Sequence, residues 1–232
     1  MRITILTLFP SVINEYINSS IIKRAIDNDN CVIEVVNFRD FSENKHKKVD
    51  DYQFGGGGGM ILSLQPIVDA IKFYKKENSK VILLTPSGKK YESSFAKELS
   101  QEKHLIFIAG HYEGFDERLN NYIDEEISIG DYVLTGGELP ALVIVDSIVR
   151  LIPNVINKVS LISESFEDNL LDYPVYTKPI DFEGHKVPEV LIGGNHKSIE
   201  EFRYKSKLAK TKLNRYDLYK EHIKNKKGIN NE

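Results

Sequence analysis

Short apolar runs that break on glycine-bearing loops constrain this chain more than any other feature. Residues 3–8 are rich in Ile and Leu, and residues 81–84 and 105–109 are apolar throughout. A strand buried on both faces reads this way, because neither side of its pleat meets water. Residues 32–38 and 123–129 also have strand character. Helical spacing fills the intervals. A stretch after Pro10 carries Ile21, Ile22, Ala25 and Ile26 on one face, and residues 64–77 follow with Pro66 in the first turn, where a missing N–H costs nothing. A short helix is expected over 94–99 and a strongly apolar one over 139–152. Strands alternating with helices predict an α/β domain with a mostly parallel sheet. Ligands of such sheets sit beyond the carboxyl ends of the strands. The loops expected there are 85–88, 110–114 and 130–138, all with glycine, and they predict the cleft.

From 157 to 179 the periodicity fades into a polar stretch with Pro174 and Pro179, and basic helices are expected over 198–213 and 217–226. The predicted organisation is a domain over 1–159, a linker over 160–175 and a small helical domain over 176–232. Charge follows this division. The net charge is −3, yet residues 197–227 hold eleven Lys or Arg against four Asp or Glu, a local +7 that leaves −10 elsewhere. A basic module joined to an acidic one fits this asymmetry, and so does a solvated Lys-rich helix face.

Cys31 is the single cysteine, which excludes an intramolecular disulfide and fits a reducing compartment. There are no Cys pairs or closely spaced His pairs, so no metal site is expected. The apolar start MRITILTLFPS and the run 139–145 are both too short to cross a bilayer. The expectation is a soluble cytoplasmic protein with no membrane partner.

The glycine run 55–59 does not make a phosphate loop. It lacks a Gly-Lys-Ser/Thr ending, and Met60 holds the last position of a G-x-G-x-x-G pattern. Five glycines still allow close approach to a ligand or another backbone. The strings GHYEGFDER (110–118) and ISIGDYVLTGGELPA (127–141) each follow a strand. Such loops can hold an adenosine through backbone groups, with apolar side chains around the ring.

Taken together, HKKVDDYQFGGGGGM, TPSGKK, GHYEGFDER, IGDYVLTGGELPA, LDYPVYTKP and GNH closely resemble the bacterial tRNA (guanine-N1-)-methyltransferase family, TrmD, in order and spacing, from Met1 to about residue 215. The resemblance implies a SPOUT-type α/β domain with a trefoil knot, a small C-terminal helical domain, and a homodimer. The helix over 139–152, apolar on too many sides for a surface helix, suits a subunit interface. The resemblance further implies methyl transfer from S-adenosylmethionine to N1 of guanosine-37 in tRNA. Its cofactor pocket maps to Leu84, Thr85, Pro86, Gly110, Tyr112, Glu113, Ile129, Gly130, Asp131, Tyr132, Val133, Leu134, Gly136, Gly137 and Pro140. Glu113 and Arg150 would meet the guanine, Arg150 steadying charge on O6. By spacing alone, an i, i+4 pair with Asp146 is the favoured reading of Arg150, and it is the resemblance that turns Arg150 toward the guanine.

The family's general base is an Asp before a Ser-Phe pair. Here Glu164 precedes Ser165-Phe166, one residue nearer Arg150, so Glu164 takes the base role, with Asp168 and Asp172 as fallbacks. Asn154 and Asn157 stand where the family has glycines, and the tail is shorter. RNA affinity then rests on Lys197, Arg203, Lys205, Lys207, Lys210, Lys212 and Arg215. Magnesium is compatible with the family, but no ligand cluster identifies one. The alternatives are a SPOUT enzyme acting at another RNA position and a non-catalytic RNA-binding relative.

Overall fold

A computed structural model describes every residue except 158–160, 162, 163 and 230–232. The chain divides into two compact units, Met1–Ile156 and Asn157–Glu232.

The first unit is built on a five-stranded sheet of β1 (Arg2–Thr7), β2 (Val32–Asn37), β5 (Ser79–Lys90), β6 (His104–Ala109) and β7 (Glu125–Ser128). Their spatial order is β2-β1-β6-β5-β7, and every pairing is parallel. Every residue of β6 is buried, which is why 105–109 reads as an unbroken apolar run. Strand alternation then sorts the side chains between two cores. Ile3, Ile5, Ile82, Leu105 and Phe107 join one core with α1 (Pro10–Ile17), α2 (Ser20–Asp27), α4 (Ser93–Leu99) and α5 (Glu138–Val149). Leu6, Val81, Leu83, Ile106 and Ile108 join the other with α3 (Leu64–Tyr74). Burying an Ile or Leu in either layer contributes about 1.5–3 kcal/mol.

Two expectations need correction. The stretch after Pro10 is two helices, not one. Asn18 caps α1, and Ser20, at φ 51°, turns the chain into α2. Residues 85–88 do not end their strand. Leu84 pairs with Ile127, and so does Lys89, so the four residues between them arch out as a bulge and β5 then resumes. Pro86 has no N–H to offer a ladder. Gly88 returns the chain at a distance only glycine permits, since a Cβ there would lie 2.4 Å from the Ile127 nitrogen.

Outside the main sheet, β3 (Asp50–Asp51) and β4 (Ile61–Leu62) pair antiparallel and form the root of the glycine run. Two-residue strands carry no periodicity, so this ladder is not legible in the sequence.

The second unit holds the hairpin β8 (Asp181–Phe182) and β9 (His185–Lys186), then α6 (Glu189–Ile192), α7 (His196–Asn214) and α8 (Tyr216–Ile229). The Asn195 side chain accepts from the Ser198 amide and caps α7. Leu170, Thr211 and His222 are buried here. Thr211 Oγ1 accepts from the Leu171 amide at 2.8 Å, and His222 Nδ1 lies 2.7 Å from the Asp168 carbonyl oxygen. Part of the expected linker, residues 160, 162 and 163, lies outside the described residues. Among the described residues no helix is long and apolar enough to cross a membrane.

Candidate functional site

The bulge within β5 and the carboxyl ends of β6 and β7 surround a cavity of about 280 Å3, just below the range of about 300–1,000 Å3 for small-molecule clefts. The bulge supplies Thr85 and Pro86, the loop after β6 supplies residues 110–115, and the loop after β7 supplies Ile129, Gly130 and residues 132–137. Every residue expected at the cofactor pocket lines this cavity except Asp131, which is exposed. His111, Gly114, Phe115, Ile127, Ser128 and Thr135 also line it. They lie inside the strings GHYEGFDER and ISIGDYVLTGGELPA, so position within the strings was the available signal.

Glycines set the walls. The Gly137 amide donates to the Gly110 carbonyl at 2.8 Å, joining the second loop to the third. A Cβ at Gly110 would lie 2.2 Å from Phe115 Cζ, and one at Gly130 would lie 2.5 Å from Tyr132 Cε1. Tyr112 adopts φ 60°. The glycine run abuts the same loop. The Glu113 amide donates to the Met60 carbonyl (3.1 Å), the Leu62 amide donates to the Gly114 carbonyl (2.9 Å), and a Cβ at Gly59 would lie 2.5 Å from Glu113 Cγ. The last glycine of the run, Gly59, therefore packs closely on the Glu113 side chain, while Met60 and Leu62 just beyond it bond to the loop's backbone.

Below the third loop, Glu138 is buried. Its Oε1 accepts a 2.6 Å bond from the Thr7 hydroxyl, and its Oε2 lies 3.6 Å from His111 Nε2. The Phe9 ring packs on His111 with centroids 4.6 Å apart. Among the described residues that line the cavity there is no Lys or Arg, and Glu113 is the one carboxylate. Apolar walls of Ile129, Val133, Leu134 and Pro140 with backbone polar groups fit a flat heterocycle. The lack of lining cations disfavours a polyphosphate.

Arg150 caps α5 and is half-buried, and it does not line the cavity. Asp146, its possible i, i+4 partner, accepts a 2.6 Å bond from the Tyr16 hydroxyl, and that bond holds the Tyr16 phenol above its usual range. Glu164 is half-buried in the second unit, followed by Ser165, whose Oγ accepts from the Asp172 amide at 2.9 Å. Phe166 adopts φ 78°, its amide bonded to the Leu170 carbonyl. Of the basic residues, Arg203 and Lys207 lie over the Tyr173 ring, at 4.7 and 5.9 Å from its centre. Arg215 pairs with Asp217 at 2.6 Å. Lys197, Lys205, Lys210 and Lys212 are exposed. No group of three or more His, Cys, Asp or Glu able to hold a metal occurs among the described residues.

A parallel α/β sheet with a glycine-walled cleft at the carboxyl ends of β6 and β7, free of lining Lys or Arg among the described residues, defines the class as an α/β protein with an apolar cleft beside its sheet. The sequence family is more specific. Residues 1–221 match the model of tRNA (Guanine-1)-methyltransferase TrmD, and the chain belongs to that family. It is 60% identical over 224 residues to the tRNA (guanine-N(1)-)-methyltransferase of Malacoplasma penetrans, covering 97% of this chain and 99% of that one. The proteins of the same description from Clostridioides difficile and Ureaplasma urealyticum are 55% and 54% identical, covering 95% and 98% of this chain and 98% and 100% of theirs.

Proposed function

We propose that this chain methylates N1 of guanosine-37 in tRNA, as a cytoplasmic homodimer whose first unit carries a trefoil knot and whose second unit is a helical tRNA-binding domain. The observation that carries the reading is the cleft, where three loops holding the family's own strings meet around one cavity without a lining cation among the described residues. A Cβ at Gly110, Gly136 or Gly137 would strike Phe115, Glu138 and His111, or the backbone of Ala109 and Gly110, so these loops close tightly around the cavity, and its apolar lining of Ile129, Val133, Leu134 and Pro140 fits S-adenosylmethionine. That cofactor, when bound, supplies a methyl group activated by its sulfonium.

The chain's residues do the remainder. Loops 85–88, 110–115 and 129–137 hold the adenosine by backbone groups and apolar side chains. Glu113 accepts from the amino edge of the guanine. Arg150 steadies the negative charge that grows on O6. Glu164 takes the N1 proton as N1 bonds to the incoming carbon. Lys197, Arg203, Lys207 and Lys210 contact RNA phosphates. Exposed Phe9, Val12, Leu139 and Val143 on and beside α1 and α5 support the dimer.

The test is incubation with radiolabelled S-adenosylmethionine and a tRNA bearing guanosines at positions 36 and 37, followed by mass mapping of the modified nucleoside. N1-methylguanosine at 37 is expected. Methylation elsewhere would move the enzyme to another RNA position, and cofactor binding without product would make the chain a non-catalytic relative.

A further inference from the structure

Glu138 opens α5 and is only 5% exposed, and none of the steps above uses its carboxyl group. Its surroundings define its orientation. The Phe9 amide donates to Thr7 Oγ1 at 2.9 Å, so the Thr7 hydroxyl proton points away from that amide and into Oε1 of Glu138. Oε2 faces His111. A Cβ on Gly136 would stand 2.4 Å from Oε2 and 2.4 Å from His111 Nε2. The carboxyl group is therefore pressed against the back of a residue that lines the cavity. The helix start also favours negative charge at this position.

We propose that Glu138 is a charge-selecting residue, a fixed anion behind the Gly136 wall that favours a cationic occupant of the cavity over a neutral one of the same shape. The proposal rests on the cofactor reading above. The methyl donor there is a sulfonium cation, and the spent product is a neutral thioether. A buried anion therefore binds the donor more tightly than the product and so promotes turnover. Glu138 touches neither, so it acts through the wall. Attraction between unit charges several ångströms apart in a partly buried site is worth about tenfold in an equilibrium constant.

Calorimetric binding of three probes to the whole chain tests this: S-adenosylmethionine, sinefungin (which carries an ammonium near the sulfonium position) and S-adenosylhomocysteine. Glu138→Gln is expected to weaken the two cations about tenfold and the thioether less than about twofold. Glu138→Asp, which keeps the charge, is expected to retain the wild-type preference even where all three affinities fall. A His111→Gln background is expected to leave the Glu138→Gln effect in place. Equal weakening of all three probes in Glu138→Gln would overturn the proposal, as would loss of preference in Glu138→Asp. Should the Gln variant not fold, Glu138→Met, which also removes the charge and keeps the side-chain length, is read in the same way: selective weakening of the two cations supports the proposal, and equal weakening of all three overturns it. A wild-type chain that binds none of the three overturns the cofactor reading and this proposal with it.

Discussion

The backbone amide of Gly137 bonds to the carbonyl of Gly110 at 2.8 Å, so the turn that opens α5 is joined directly to the end of β6. A Cβ at residue 137 would lie 2.7 Å from the Ala109 Cα and 2.7 Å from the Gly110 nitrogen. Both are backbone atoms at the end of a fully buried strand, and neither can yield as a flexible side chain would.

Gly137→Ala is therefore expected to destabilise the chain by about 1–3 kcal/mol, the usual cost of overpacking, and to weaken cofactor binding. Gly58→Ala meets open space and should stay within about 0.5 kcal/mol of wild type. Thermal unfolding followed by circular dichroism compares the two. Equal melting temperatures would contradict the geometry.

Ile144 is fully buried on α5, in the core shared with β1 and β6. Ile144→Ala should cost about 2–5 kcal/mol through lost transfer energy and the cavity left behind, read from the urea midpoint.

Val143 and Leu139, on the same helix, are about half exposed. If they cover a partner copy, Leu139→Glu with Val143→Glu should shift sedimentation from dimer to monomer while the circular dichroism spectrum is retained. A wild-type monomer at micromolar concentration would remove the dimer from the proposal.

Arg150→Ala and Glu164→Gln should each lower the methyl-transfer rate by on the order of a hundredfold or more while S-adenosylmethionine binding stays near wild type. Full rate in Glu164→Gln would pass the base role to Asp168 or Asp172.

Burial pushes the Tyr91 phenol up to about 12, and its hydroxyl lies 2.6 Å from Ser147 Oγ. The unfolded phenol ionises near its ordinary value of about 10. Between these values the unfolded state has lost a proton that the folded state keeps, so stability is fully present below pH 10 and falls as pH rises toward 12. Denaturant midpoints measured across that window should decline, and Tyr91→Phe should flatten the decline.

What is legible in the residues alone depends on the range of the interactions concerned. Residues 105–109 could be read as a buried strand because burial on both faces forces an apolar residue at every position, a local demand. The cleft loops were readable for a similar reason, since they follow such strands and carry glycine. Residues 85–88 look like a strand-ending turn because Thr-Pro-Ser-Gly has turn chemistry. Only the pairing of both Leu84 and Lys89 with Ile127 makes them a bulge. Asp131 sits among lining residues in the sequence, yet it is exposed and outside the cavity lining. Arg203 and Lys207 read as phosphate-directed cations, and only the fold shows that they lie over Tyr173, thirty residues or more away in sequence.

Element types, the parallel α/β class and the family strings were determined by the sequence itself, because spacing and turn chemistry act within a few residues. The tertiary structure decided which backbones come within 3 Å of one another, that Gly59 packs on Glu113, and that Thr7 and Glu138 meet behind the cavity wall to which His111 belongs. Those contacts join positions up to 131 apart, and no local pattern encodes such a distance, because the packing of the whole sheet is what brings the groups together.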